Sequence, residues 1–291
     1  MRTPNFFIIG APKCGTTSLA RWLSGHPQVF MSVPKEPHFF NTDMANRNVR
    51  QWDEYLELFQ RVGEGHEAVG EASTWYLFSE NAVSEIEAAF PGARYIVMTR
   101  EPVDMALSLY QHNVRHLHED ASSFQEAWRL QEARYWGERI PSTCTEPSFL
   151  QYRRACSLGS MLERLFDRVP EERVLHMPLD QVKQDPRNAY LRVLSFLDIA
   201  DDGRTDFKPE NEARIYRSRF IQKAFLAGGR LRARLGIRQG LGLTRINESK
   251  RKLAEDLPNE LKAEIEEAFS VEKEKLCQFK IKKKQRVPCL L

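Results

Sequence analysis

The stretch FFIIGAPKCGTTSLARWLSGHP, residues 6–27, restricts this chain more than any other. The apolar run at residues 5–9 is far shorter than the ~20 residues of a membrane helix and has the length of a buried strand. A turn bounded by Gly10 and Gly15 follows, and a helix is expected over residues 17–24. A strand, a glycine turn and a helix in that order aim backbone N–H groups at whatever lies before the helix, where its partial positive charge favours an anion. The two glycines let the backbone bend and approach a ligand closely. Lys13 adds a full charge beside Cys14, and Thr16, Thr17 and Ser18 add hydroxyl donors. An ordinary strand–turn–helix corner explains the glycines alone. It does not explain their coincidence with a lysine and three hydroxyls.

The rest of the chain repeats the alternation. FPGARYIVMTREP gives a second buried strand at residues 94–98, entered through Pro91–Gly92, and a helix over 102–114. A helix over 160–166, a strand at RVLHMPL and a helix over 188–197 follow, with an exposed loop over 137–149. Strands alternating with helices predict an α/β fold of three layers, a central parallel sheet flanked by helices. From Arg214 the chain turns basic, and an amphipathic helix is expected over 258–276. With 291 residues, 42% hydrophobic and 29% charged, the chain suits one domain. Its core is expected over about residues 5–213, with a basic helical extension over about 214–291.

What the loop grips is narrowed by what it lacks. The ATP pattern G-x-x-x-x-G-K-[ST] puts lysine directly after the second glycine. Here Thr16 stands there, and the lysine is the third residue after Gly10. The later strand ends in Thr99–Arg100 and not in an acidic residue able to hold magnesium. Both features point to an anion bound without metal.

GAPKCGTTSL resembles the 5′-phosphosulfate loop of the sulfotransferases that use 3′-phosphoadenosine 5′-phosphosulfate (PAPS). Their second motif, an arginine ending a strand and a serine eight residues on, is matched by YIVMTREPVDMALSLYQH, with Arg100 and Ser108. The resemblance implies that these two hold the 3′-phosphate, the arginine through a forked charge-assisted bond. It extends over about residues 5–200 and is strongest to the heparan-sulfate type, in HPQVFMSVPKEPHFFN, WDEYLELF, GEASTWYLF and LERLFDRVPEERVLHMPLDQVKQDPRNAYLRVLSFLDI. It implies the P-loop-type fold of that family and PAPS as sulfuryl donor.

In that family the glutamate of the segment matching KEPHFFN is the general base, which implies Glu36 here. An acceptor hydroxyl is a poor nucleophile, and a carboxylate within about 2.6–3.2 Å can take its proton as the S–O bond forms. Lys35 and Lys13 are expected to keep Glu36 ionised. Other branches use a histidine base, which leaves His38 as the competitor; otherwise His38 orients Glu36 or, with Lys35, the acceptor. Lys13 is expected to neutralise the phosphosulfate and to follow the charge that builds on the leaving oxygen in a loose, in-line transfer.

The chain also departs from that pattern. Ala72 stands where heparan-sulfate enzymes carry a lysine after the glutamate of their EK…Y segment, and Asn41 matches the N- and not the 3-O-sulfotransferases. The family's late nucleotide-closing loop has only ENEARIYRSRF as a candidate, with Arg214 and Arg217 as possible 3′-phosphate contacts. Solvated arginines explain them equally well.

A net charge of +3 gives no global attraction to nucleic acid. Five cysteines without paired spacing predict reduced thiols. With no leader-like or membrane-spanning stretch, a cytoplasmic enzyme acting on a glycan or small-molecule acceptor is expected. A P-loop small-molecule kinase and a non-catalytic polyanion-binding protein remain the alternatives. Magnesium-dependent ATP binding would mark the first, and a steep salt slope without turnover the second.

Overall fold

The computed structural model describes residues 3–208, 214–216, 248–250 and 257–284. In chain order the elements are β1 (Phe6–Gly10), α1 (Thr16–Ser24), β2 (Val29–Met31), α2 (Trp52–Glu57), β3 (Ala68–Ala72), α3 (Ala82–Ala89), β4 (Arg94–Thr99) and α4 (Pro102–Arg115). Next come α5 (Phe124–Arg129), α6 (Gln131–Tyr135), α7 (Tyr152–Ala155), α8 (Leu158–Arg168), β5 (Val174–Pro178), α9 (Leu179–Gln184) and α10 (Pro186–Phe196). The last are β6 (Arg214–Tyr216), β7 (Glu248–Lys250), α11 (Asn259–Ala268) and α12 (Ser270–Lys284). The chain divides into two compact units, one of Met1–Met105, Arg153–Asn211 and Glu264–Leu291, the other of Ala106–Tyr152 and Glu212–Ala263.

The first unit holds a sheet in the order β2-β3-β1-β4-β5, with every neighbouring pair parallel. All residues of β1, β3 and β5 are buried, which is why these strands read as near-continuous apolar runs and not as alternating ones. Helix α1 packs on β1 and β2, and α9 and α10 pack on β5. The chain lays β2 and β3 on one side of β1, then crosses to lay β4 and β5 on the other. At such a reversal the crevice beyond the carboxyl ends of the strands is the natural ligand site. Gly10 ends β1 at that reversal.

Several boundaries differ from the sequence expectation for local reasons. Helix α10 starts at Pro186, because Asp185 caps it by accepting the Asn188 N–H at 3.0 Å and proline suits the first turn. Two helices replace the single one expected over 258–276. The break at Phe269 buries that ring completely and sets α12 against α8. There the Glu272 carboxylate accepts the Ser160 N–H at 2.8 Å and its hydroxyl at 2.7 Å, capping the first turn of α8 from another part of the chain. Lys275 pairs with Glu163 at 2.6 Å, and Phe166 stacks on Phe279. Arg214 falls in β6, which pairs antiparallel with β7. Arg217 lies outside the described residues. Among the described residues no helix is long and apolar enough to cross a membrane.

In the second unit, the loop expected to be exposed over 137–149 instead runs into a short 3-10 turn at Pro147–Leu150, and Glu146 is buried where it accepts the Ser148 N–H. The centre of this unit is ionic. Arg134 and Glu119 have fully buried side chains joined by two parallel bonds of 2.7 and 2.5 Å. Tyr152 donates to Glu119 at 2.8 Å, as do the Asp120 and Ala121 N–H groups at 2.9 and 2.8 Å. Burial opposes the charge on Arg134, but the bonds and charge of Glu119 outweigh it and hold its pKa up. Removing one partner strands the other charge. Glu119→Ala should therefore lose about 3–5 kcal/mol of stability, read by urea unfolding. A loss below about 1 kcal/mol, the range of an exposed pair, would show that water reaches the arginine.

Candidate active site

The loop after β1 is held by its own backbone and by the sheet. The Ala11 N–H donates to the Met98 carbonyl of β4 at 2.8 Å, and the Cys14 N–H to the Ala11 carbonyl at 3.3 Å. Gly10 has no room for a side chain, since a Cβ there would meet Leu77 Cβ at 2.8 Å. Gly15 sits at φ 91° and begins α1. No side chain caps this end, and no acidic residue lies in the first turn. The N-terminal N–H groups and the helix dipole are thus directed to an anion and not to an internal carboxylate. Thr16 is buried, whereas Thr17 and Ser18 are half-buried. Cys14 is buried, and burial pushes its thiol up to about 12, so it contributes backbone and not a reactive sulfur. All four described cysteines are free.

Arg100 follows the end of β4. Its guanidinium donates to the Lys13 carbonyl at 3.5 Å and lies 3.4 Å from Asp104. The structure therefore brings Arg100 to the phosphate-type loop through the residue that carries the loop's charge. Ser108 lies within α4 and belongs to the second unit.

Glu36 and His38 lie in the segment after β2. The Glu36 N–H donates to the Ala72 carbonyl at the end of β3 at 3.0 Å, and Asn48 donates to the Glu36 carbonyl at 2.8 Å. The Glu36 carboxylate is 2.5 Å from Lys35 Nζ and 3.7 Å from His38 Nε2, and it accepts from Thr74 at 3.4 Å. Burial works against its charge, but the His38 bond and the Lys35 charge and bond prevail and hold the carboxyl well below the usual range. Lys35 and His38 thus maintain the charge that the sequence assigned to Lys35 and Lys13. The side chain of Glu36 is 38% exposed and that of His38 only 4%.

Lys13, Glu36 and His38 have φ of 64°, 63° and 50°, in the left-handed region that non-glycine residues seldom adopt. Three of the six such residues in the described chain are thus the three candidates for the chemistry. Backbone strain of this kind persists where the surroundings over-determine it, which makes it a pointer to function.

Sequence reasoning missed the turn that follows β3. Ser73 and Leu77 donate backbone N–H groups to the Ile8 and Ile9 carbonyls of β1. The Thr74 carbonyl lies 3.3 Å from where a Gly10 Cβ would sit, while its hydroxyl bonds Glu36. This turn joins the glycine loop to the carboxylate. Its signal was the polar pair Ser73–Thr74 directly after a buried strand. Among the described residues no group of three His, Cys, Asp or Glu side chains is placed to hold a metal ion.

A family model described as a sulfotransferase domain matches residues 3–225. The membrane-associated sulfotransferase kil1 of Dictyostelium discoideum is 31% identical over 119 residues, 41% of this chain and 25% of that protein. The bifunctional heparan sulfate N-deacetylase/N-sulfotransferase 3 of Homo sapiens is 30% identical over 205 residues, 68% of this chain and 22% of that protein. The chain thus spans about a quarter of the length of these curated relatives. The crystal structure of a sulfotransferase from Alicyclobacillus acidocaldarius superposes with a TM-score of 0.64 at 32% identity, covering 84% of this chain and all of that one. With the family model covering more than half of its length, the chain belongs to the sulfotransferase domain family.

Proposed function

We propose that this chain moves a sulfuryl group from PAPS to an acceptor hydroxyl, less readily an amine, of a carbohydrate or small metabolite. The observation that carries the reading is the start of α1: an uncapped helix end without acidic residues, entered through Lys13, whose carbonyl is bonded by Arg100. PAPS supplies a sulfuryl group on a phosphate leaving group. The N–H groups of Gly15, Thr16 and Thr17, with the Thr17 and Ser18 hydroxyls, bind its 5′-phosphate. Arg100 binds the 3′-phosphate, with Ser108 as the partner that the family resemblance implies. Lys13 stabilises charge as it builds on the leaving oxygen.

Glu36 takes the acceptor proton. Its exposure lets it reach an acceptor, whereas the burial of His38 leaves that ring to orient the carboxylate. A carboxylate tied to Lys35 is a weak base. The acceptor hydroxyl displaces the Lys35 ammonium, and base strength returns with the loss of that ion pair. The heparan sulfate named in one relative supports a sugar acceptor. A cytoplasmic location remains part of this proposal.

A thermal-shift comparison in metal-free buffer tests the donor site. Adenosine 3′,5′-bisphosphate at 100 times its dissociation constant should stabilise the protein by about 2.7 kcal/mol. ATP at the same concentration should do much less, because it offers Arg100 no 3′-phosphate. Arg100→Ala should abolish the preference. Equal shifts from both nucleotides would argue against the sulfotransferase reading.

A further inference from the structure

β3 is buried along its whole length and yet carries a glutamate. Glu71 is wholly inaccessible to solvent, Ala72 beside it offers no charge, and its Oε1 has no hydrogen-bond partner. A buried carboxylate with one oxygen unsatisfied is costly. Its surroundings indicate what it is for. Its other oxygen accepts from Tyr55 of α2 at 2.9 Å and from Tyr76 at 3.1 Å.

Proton accounting extends these bonds outward. A phenol has one proton. Tyr76 gives it to Glu71, so its lone pairs face away and accept the N–H groups of Phe39 at 2.9 Å and Phe40 at 3.3 Å. Ser73 Oγ accepts the N–H of His38 at 3.0 Å. Ser73, two residues past Glu71, and Tyr76 thus take three successive backbone donors, the last two on a phenol that Glu71 orients. The first belongs to His38, two residues past Glu36, and both residues are in the left-handed backbone region.

We propose that Glu71 is the positioning residue of the site: through Tyr76 it holds the backbone of residues 39–40 and, beside Ser73 on His38, the strained geometry of Glu36 and His38. This rests on the sulfotransferase reading above. Tyr55, Tyr76, Ser73 and, by its charge, Lys35 are the groups that face Glu71. Burial dominates and pushes its pKa up to about 7 from an ordinary 4.5, despite the hydroxyl donors and Lys35. Because the folded value is above the unfolded one, its stabilising contribution is complete below pH 4.5 and is lost as pH rises through about 7. The chain therefore keeps a carboxylate that opposes folding at neutral pH, as positioning machinery does and an optimised core does not.

The test uses the full chain with Glu71→Gln, Tyr76→Phe and the double variant. Amide hydrogen exchange at His38, Phe39 and Phe40 should quicken by about tenfold or more in Glu71→Gln, the exchange equivalent of about 1.4 kcal/mol, with β1 and β4 amides unchanged. Turnover should fall by about 10²-fold, as for a small misplacement of a reacting group, with affinity for adenosine 3′,5′-bisphosphate unaltered. The double variant should be no slower than the slower single one, as expected of one coupled chain. The melting temperature of Glu71→Gln relative to the parent should rise by roughly 5 °C between pH 5 and pH 8, because only the parent keeps a buried carboxyl with its pKa pushed up. Unchanged exchange at 38–40 in both single variants, or additive losses in the double, overturns the proposal. Should Glu71→Gln fail to fold, Tyr76→Phe decides by the same exchange readout. Failure of the parent to bind the bisphosphate would instead overturn the sulfotransferase reading, since the exchange experiment needs no nucleotide.

Discussion

Glu36→Gln is expected to bind adenosine 3′,5′-bisphosphate as the parent does and to turn over about 10²–10⁴-fold more slowly, the scale of general-base catalysis. The amide keeps the shape of the carboxylate and an oxygen for the Thr74 hydroxyl, so the segment after β2 keeps its place. The pairing with Lys35 weakens, but at a half-exposed position this costs little stability. Only the capacity to take a proton is lost. His38→Asn should cost less, because a 4%-exposed ring acts through Glu36. Both variants should be compared at saturating PAPS on one acceptor, with thermal melting as the folding control. A near-normal Glu36→Gln beside an inactive His38→Asn would move the base to His38 and leave the donor site as proposed.

Lys13→Met should lower turnover at saturating donor by about 10²–10³-fold, the measured scale for removing one donor at a developing oxyanion. Methionine keeps the length of the stem and strains a backbone at φ 64° no more than lysine does. The N–H groups at the start of α1 remain, so affinity for the bisphosphate should fall by much less. That split matters because an interaction stronger in the transition state than in the ground state appears in kcat. An equal fall in affinity and turnover, with kcat restored at high donor concentration, would reduce Lys13 to a binding residue.

Much of this was legible in the sequence. The buried strands β1, β4 and β5 are apolar on both faces and flanked by turn residues, so their runs stand out. Strands β2 and β3 did not, because one is three residues long and the other, AVGEA, is interrupted by a glycine and a glutamate. The glycine loop carries its chemistry in residue type and spacing, whereas Arg100 and Glu36 were singled out through the family resemblance of their segments. Ser73, Thr74 and Tyr76 hold the segment after β2 through contacts made 35–38 positions away. No local pattern encodes a serine that receives an amide from a distant segment. The same holds for the division at Phe269, which is fixed by what α12 covers and not by its own helical propensity.

The Glu272 cap on α8 has a consequence for how the protein is made. Synthesis delivers Ser160 long before its partner, 112 residues later in the chain. All five strands of the sheet have left the ribosome while the first turn of α8 still lacks its carboxylate. A nascent chain arrested near residue 260 therefore carries the whole anion loop and all five strands of that sheet, yet lacks the Glu272 carboxylate at α8. The first turn of α8 gains its carboxylate only once α12 has been synthesised.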